Sequence, residues 1–215
     1  MGAKTWMLVH SQGDPKALLK NGPALDRERT AALVERLFAA KRLPPLEDGN
    51  LCAACPPDDE IMAGCFAGLT ILAAKEFAID RPSALPAKFI EAFGDGQLVL
   101  HAMYSVVDWF AFGVWENGTL VRSLSVSPDS GVIEDVGARL AFEAPYWAGA
   151  HPALDAEEEE GDCLLDFHPL ELGDAALLAC FGYQIELWDA SQPDPEQIPL
   201  MRFRRKKRWW PFGQA

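Results

Sequence analysis

The pattern of hydrophobic and polar positions is least ambiguous across residues 97–143, and its centre predicts a β-hairpin. Residues 108–116 (DWFAFGVWE) and 119–126 (TLVRSLSV) are rich in aromatic and β-branched side chains, and only Asn117 and Gly118 separate them. Asn-Gly suits a type I′ turn, whose two central residues both need φ > 0. Such a turn predicts Trp115 opposite Leu120, Gly113 opposite Arg122, Ala111 opposite Leu124 and Trp109 opposite Val126. Phe110, Phe112, Val114 and Val121 then share the other face. Apolar side chains on both faces predict a hairpin inside a sheet rather than at its edge.

Elsewhere the same reading predicts a first strand over Lys4–Ser11, then a short helix capped by Asp14 with Pro15 in its first turn. A longer helix is predicted from an Asp26 cap to about Ala40, with Leu33, Val34, Leu37 and Phe38 on its apolar face. Residues 51–59 (LCAACPPDD) read as loop or edge strand, because two prolines do not fit a central ladder. Strands follow at 60–66 and 69–77, although alanines at 73 and 74 leave a helix open for the second. Pro82 and Pro86 introduce a short helix with Leu85, Phe89, Ile90 and Phe93 on one face, stopped at Gly94. A strand at 97–105 leads into the hairpin. Beyond it come a turn at 127–131, an irregular strand at 132–143 and an aromatic loop at 145–152. A helix at 172–182 capped by Asp174 and a proline-rich exit at 188–199 complete the pattern. Strands with irregularly interspersed helices predict an α+β fold, with a mainly antiparallel sheet, a central Asn-Gly hairpin and several packed helices. One globular domain is expected over residues 1–201, with an acidic loop at about 155–162 and a basic-aromatic tail at 202–215.

Length and composition fit this picture. A chain of 215 residues with 49% hydrophobic content can bury a core without disulfides or metals. The apolar stretch at 6–9 is too short for a secretory signal, and the longest uncharged apolar run, 61–74, is too short for a membrane span. Five cysteines, an odd number, fit a reducing compartment, so a cytoplasmic location is expected. The formal net charge is −13, yet residues 202–208 hold six basic side chains. The rest of the chain has 13 basic against 32 acidic residues, a net charge of −19. Such a body repels nucleic acid and anionic membranes, and no nucleic-acid partner is expected.

The segments MGAKTWMLV, LHAMYSVVDWFAFGVWENGTLVRSLSVSPDSGVIEDVG, FHPLELG and IPLMRF resemble an uncharacterised bacterial family, a domain of unknown function common in actinobacteria. The resemblance spans most of residues 1–203. It implies a bacterial origin and carries over no catalytic residue.

Candidate chemistry is sparse. Cys52 and Cys55 have CxxC spacing, but further ligands would have to come from the scattered Cys65, His101, Cys163, His168 and Cys180, and Pro56-Pro57 follow where a redox pair would open a helix. No metal and no cofactor is expected. His101, Ser105 and Asp108 suggest a nucleophile, base and orienting acid, but His101 and Ser105 on one strand lie about 13 Å apart. Arg122 can hold Glu134, Asp135 or Glu143 in an ion pair or stack on Trp115; open to a pocket with Tyr104, Trp109 and Trp147, it would be an anion site. Neither GxGxxG nor a Walker sequence occurs.

These features favour a non-enzymatic cytoplasmic binding protein with a protein partner, contacted through the 145–152 loop and the acidic insertion. The alternative is an enzyme with a site around Arg122, His101, Asp108 and His168. That site requires a water-accessible pocket joining at least three of them. A third reading places the protein peripherally at the inner membrane face. Arg204, Arg205, Lys206, Lys207 and Arg208 with Trp209 and Trp210 join cations to interface-seeking rings. With Arg202, six cations at roughly 1 kcal/mol each would supply about 6 kcal/mol near an anionic leaflet.

Overall fold

In the computed structural model, which describes residues 3–38, 43–152 and 164–205, the central strand is β1 (Lys4–Ser11). Every residue of β1 except Lys4 is buried, because both faces of the sheet are covered. The remaining strands are β2 (Gly49–Asn50), β3 (Glu60–Phe66), β4 (Leu69–Ala73), β5 (Gln97–Tyr104), β6 (Trp109–Glu116), β7 (Thr119–Ser127), β8 (Gly131–Gly137) and β9 (Pro199–Arg204). They form one antiparallel sheet in the order β2-β9-β3-β4-β1-β5-β6-β7-β8. The α+β architecture with a mainly antiparallel sheet is therefore as expected.

Among the described residues, five helices cover the two faces: α1 (Pro15–Lys20), α2 (Arg27–Leu37), α3 (Ala87–Glu91), α4 (Ala144–Trp147) and α5 (Pro169–Phe181). Met7, Val9, Phe110 and Phe112 pack toward Leu19 of α1, Tyr146 of α4 and Leu172, Leu177 and Phe181 of α5. Their neighbours in sequence, Trp6, Leu8 and Ala111, together with Trp115, pack toward Leu33, Val34 and Leu37 of α2 and Phe89 of α3. The strict two-residue alternation of a strand thus feeds two separate cores. Asp14 and Asp26 cap α1 and α2 by accepting the amides of Lys16 and Arg29, each at 3.0 Å.

At the hairpin, Asn117 (φ 48°) and Gly118 (φ 78°) form the two-residue turn and Trp115 pairs with Leu120. Beyond that pair the expected register fails. Val121 is an extra residue in β7, so Val114, not Gly113, lies opposite Arg122, Phe112 lies opposite Leu124 and Phe110 opposite Val126. A β-bulge of this kind sends every later side chain to the other face. Arg122 consequently points to the α5 side and Trp115 to the α2 side. Gly137 of β8 fits against the bulge: with φ 83°, a Cβ there would lie 2.1 Å from the Val121 carbonyl oxygen.

Other boundaries differ for tertiary reasons. The second strand of the β3–β4 pair stops at Ala73, and residues 75–77 form a 3₁₀ turn that buries Phe77. Gly137 ends β8, so residues 138–143 are not strand; the expected aromatic loop begins as α4, with Tyr146 buried and Trp147 half-buried. Helix α5 starts at Pro169 with His168 as its cap. Asp174 lies within the helix, where it accepts the Ile185 amide at 2.8 Å and fixes the chain after Gly182. The proline-rich exit leads into β9, which inserts between β2 and β3 and pairs Phe203 with Ile61 and Met201 with Ala63. Arg202, Phe203 and Arg204, read as the start of a tail, belong to the sheet. The acidic loop at 155–162 lies outside the described residues.

Candidate functional site

Arg122 is fully buried, and its donors are consumed inside the fold. It makes a two-point pair with Glu143, Nε to Oε1 at 2.9 Å and Nη2 to Oε2 at 2.6 Å, and Nη1 reaches Asp135 at 2.5 Å and the Val136 carbonyl at 3.0 Å. Burial alone would lower the guanidinium's pKa, but the two carboxylates reverse this and raise it. Arg122 therefore presents no donor to a pocket, and its nearest ring is Phe112, not Trp115. Trp115 is buried on the opposite face of the sheet. Glu134, the third expected partner, is held instead by Ser83, whose amide and hydroxyl donate at 3.0 and 2.6 Å, and by the Ser123 hydroxyl.

His101 is buried between Thr5 Oγ1 (2.7 Å from Nδ1) and the Gly173 carbonyl (2.9 Å from Nε2). The carbonyl can only accept, so Nε2 carries the proton and the Thr5 hydroxyl donates to Nδ1. Burial drives the ring's pKa down to about 4, the Gly173 carbonyl opposing it in part. Asp108 meets His168 at 3.8 Å, while His168 Nδ1 accepts the Leu170 amide as a helix cap. Arg122 and His101 are thus sealed within the layers, and only Asp108 and His168 of the four proposed enzyme residues come together. Trp147 stacks with Arg139 and packs edge-on to Phe167. Cys52 is exposed and Cys55 half-buried in the 51–55 turn, and burial raises both thiols' pKa, which disfavours thiolate chemistry.

Two clefts open on the α2–α3 side of the sheet. One, of about 610 Å³, contains Tyr104 with Trp6, Trp109 and Lys75. Two of its rings, Trp6 and Tyr104, are already covered by the protein's own ammonium groups. Lys4 Nζ lies 4.7 Å from the centroids of both Trp6 and Tyr104, and Lys75 Nζ lies 4.6 Å from Trp6. Asp80, Arg81 and Asp129 give this lining both signs of charge.

The other cleft, of about 380 Å³, differs in having cationic side chains and no carboxylate in its lining. Its floor is sheet: His10 at the end of β1 and Thr70 of β4, with Gln12 beside them. One wall is the α2 stripe Arg29, Ala32, Leu33 and Arg36, positions i, i+3, i+4 and i+7, and the other is Phe93 beyond α3. His10 is set rigidly. Its ring stacks on Phe93 at 4.7 Å and its Nε2 donates to the Asp95 carbonyl at 2.9 Å. Gly96 permits this approach, since a Cβ there would lie 2.9 Å from His10 Nε2. Arg29 reaches the Phe66 carbonyl at 3.5 Å and Arg36 the Ala92 carbonyl at 3.4 Å; among the described residues neither meets a carboxylate.

The model of a family of unknown function (DUF6928) matches residues 5–203. The chain belongs to that family. The DUF6928 match runs from β1 into β9, so it includes the floor and both walls of the cationic cleft and takes in Arg202 and Phe203 but not the rest of the basic-aromatic segment. No curated protein and no solved structure matches the chain.

Sequence reasoning passed over His10, Arg29 and Arg36, and the signal for them was the arginine at each end of an otherwise apolar helical stripe. Of the basic segment, Arg202 and Arg204 both pair with Glu60, at 2.7 and 2.8 Å, and Arg205 pairs with Glu76 at 2.5 Å. Lys206, Lys207, Arg208, Trp209 and Trp210 lie outside the described residues.

Proposed function

We propose that this protein is a non-enzymatic binding protein and that its ligand is a small molecule bearing an anionic group, received in the cleft between α2 and α3. The observation that carries the reading is the state of its cations. In a chain with 32 acidic residues, Arg27, Arg122, Arg139, Arg202, Arg204 and Arg205 each meet a carboxylate, whereas Arg29 and Arg36 face the cleft and, among the described residues, meet a backbone carbonyl each and no carboxylate. Guanidinium groups with spare donors suit carboxylate or phosphate, which accept two hydrogen bonds in a plane. A titration of hexane-1-phosphonate into the full chain at low ionic strength, followed by amide chemical shifts, tests it. Saturable shifts centred on residues 10, 29, 36 and 93, lost in an Arg29→Gln/Arg36→Gln variant that keeps its fold, are expected. No saturation in the millimolar range, or binding indifferent to both substitutions, overturns it.

A second reading, peripheral contact of a cytoplasmic protein with an anionic membrane, rests on the sequence Lys206-Lys207-Arg208-Trp209-Trp210. Arg202, Arg204 and Arg205 are engaged by carboxylates, so the attraction falls from six cations to three, about 3 kcal/mol. Among the described residues no helix is long and apolar enough to cross a membrane.

A further inference from the structure

The two arginines of the cleft stand at opposite ends of its α2 wall. Seven residues of helix separate their Cα atoms by about 10 Å. Their side chains are drawn apart rather than together. Arg29 is tied to the carbonyl of Phe66 at the end of β3, and Arg36 to that of Ala92 just beyond α3. Between them the wall is Ala32 and Leu33, and Phe93 faces it across the cleft, backed by the His10 ring. The surface therefore reads positive, apolar, positive. A single compact anion can satisfy only one end and leaves the apolar middle wet.

We infer that the ligand is an extended dianion: two acidic groups, one at each of Arg29 and Arg36, joined by an apolar spacer that lies along Ala32, Leu33 and Phe93. This rests on the reading of the cleft as an anion site and narrows it to a class such as long-chain dicarboxylates or bisphosphates. Engaging both ends makes the second contact intramolecular, so affinity should rise well beyond that of a one-headed analogue of equal length. Apolar contact with the spacer adds burial that a short dianion cannot reach.

The experiment compares hexane-1-phosphonate, hexane-1,6-bisphosphonate and methylenebisphosphonate, each titrated into the full chain by calorimetry at fixed ionic strength. The six-carbon bisphosphonate is expected to bind at least about tenfold tighter than either of the others. Arg29→Gln and Arg36→Gln should each reduce it to the level of the one-headed compound while leaving circular dichroism and thermal midpoint unchanged, since both side chains are exposed on α2. Equal affinity for the one-headed and two-headed six-carbon compounds overturns the dianion while leaving an anion site. Preference for methylenebisphosphonate overturns it too, in favour of a single compact anion. Failure of all three to bind, or binding unchanged in both variants, removes the dianion and the anion site together.

Discussion

Glu143 holds Arg122 by two hydrogen bonds, at 2.9 and 2.6 Å, with both side chains fully excluded from water. The pair ties the segment after β8 to the middle of β7, and Glu143 also accepts the Leu140 amide at 2.7 Å, closing the turn that starts α4. An ion pair taken out of water costs heavily in desolvation, so breaking it from one side is worse than replacing both sides.

Glu143→Ala should accordingly destabilise the fold by about 3–5 kcal/mol, because Arg122 stays buried with Asp135 as its remaining carboxylate. Arg122→Met with Glu143→Leu should recover much of that loss. Urea unfolding of the three proteins checks this; a double variant no more stable than Glu143→Ala would contradict it.

His101 makes stability depend on pH in a stated direction. The folded ring titrates near 4 against an ordinary value of 6.5, so below 6.5 the unfolded chain binds a proton that the folded chain does not. Stability is then lost as pH falls from 6.5 to about 4, at roughly 1.4 kcal/mol per pH unit. In His101→Gln this contribution is absent, and the stability gap between variant and parent should narrow on acidification. Parallel pH profiles from denaturant titrations would refute the assignment.

Gly137 sits at positive φ against the bulge. An alanine there adds a left-handed penalty of about 1–2 kcal/mol and an overlap with the backbone at Val121 that no side-chain movement relieves. Gly137→Ala should therefore cost more than about 2 kcal/mol and shift the Val121 and Arg122 amide resonances. An unchanged thermal midpoint would show that the bulge does not need the glycine.

Liposome flotation measures the basic-aromatic segment. With Arg202, Arg204 and Arg205 engaged by carboxylates, the full chain should float weakly with anionic vesicles at low salt, and a chain ending at Arg205 should not float. Equal flotation of both, or of neither, removes membrane contact.

The features legible in the sequence were those fixed by neighbours along the chain. Asn117-Gly118 dictated its turn, because few other dipeptides tolerate two positive φ values. Asp14 and Asp26 dictated two helix starts, because a cap bonds to amides two or three residues away. Runs of apolar, aromatic and β-branched residues between turn signals located β1, β3, β5 and β6 but not which face met which helix. Tertiary structure decided the rest. The bulge at Val121 depends on Gly137 of another strand, and it alone turned Arg122 from the Trp115 side toward Glu143. Strand β9 exists because β3, some 140 residues earlier, offers it an edge, and Glu60 there receives two of the tail's arginines. The cationic cleft is likewise assembled from β1, β4, α2 and the end of α3, whose side chains converge only when the sheet has paired. Local backbone preferences reach a few residues; which charges end beside which carboxylates is set by pairing across the fold, and that pairing left Arg29 and Arg36 facing the cleft.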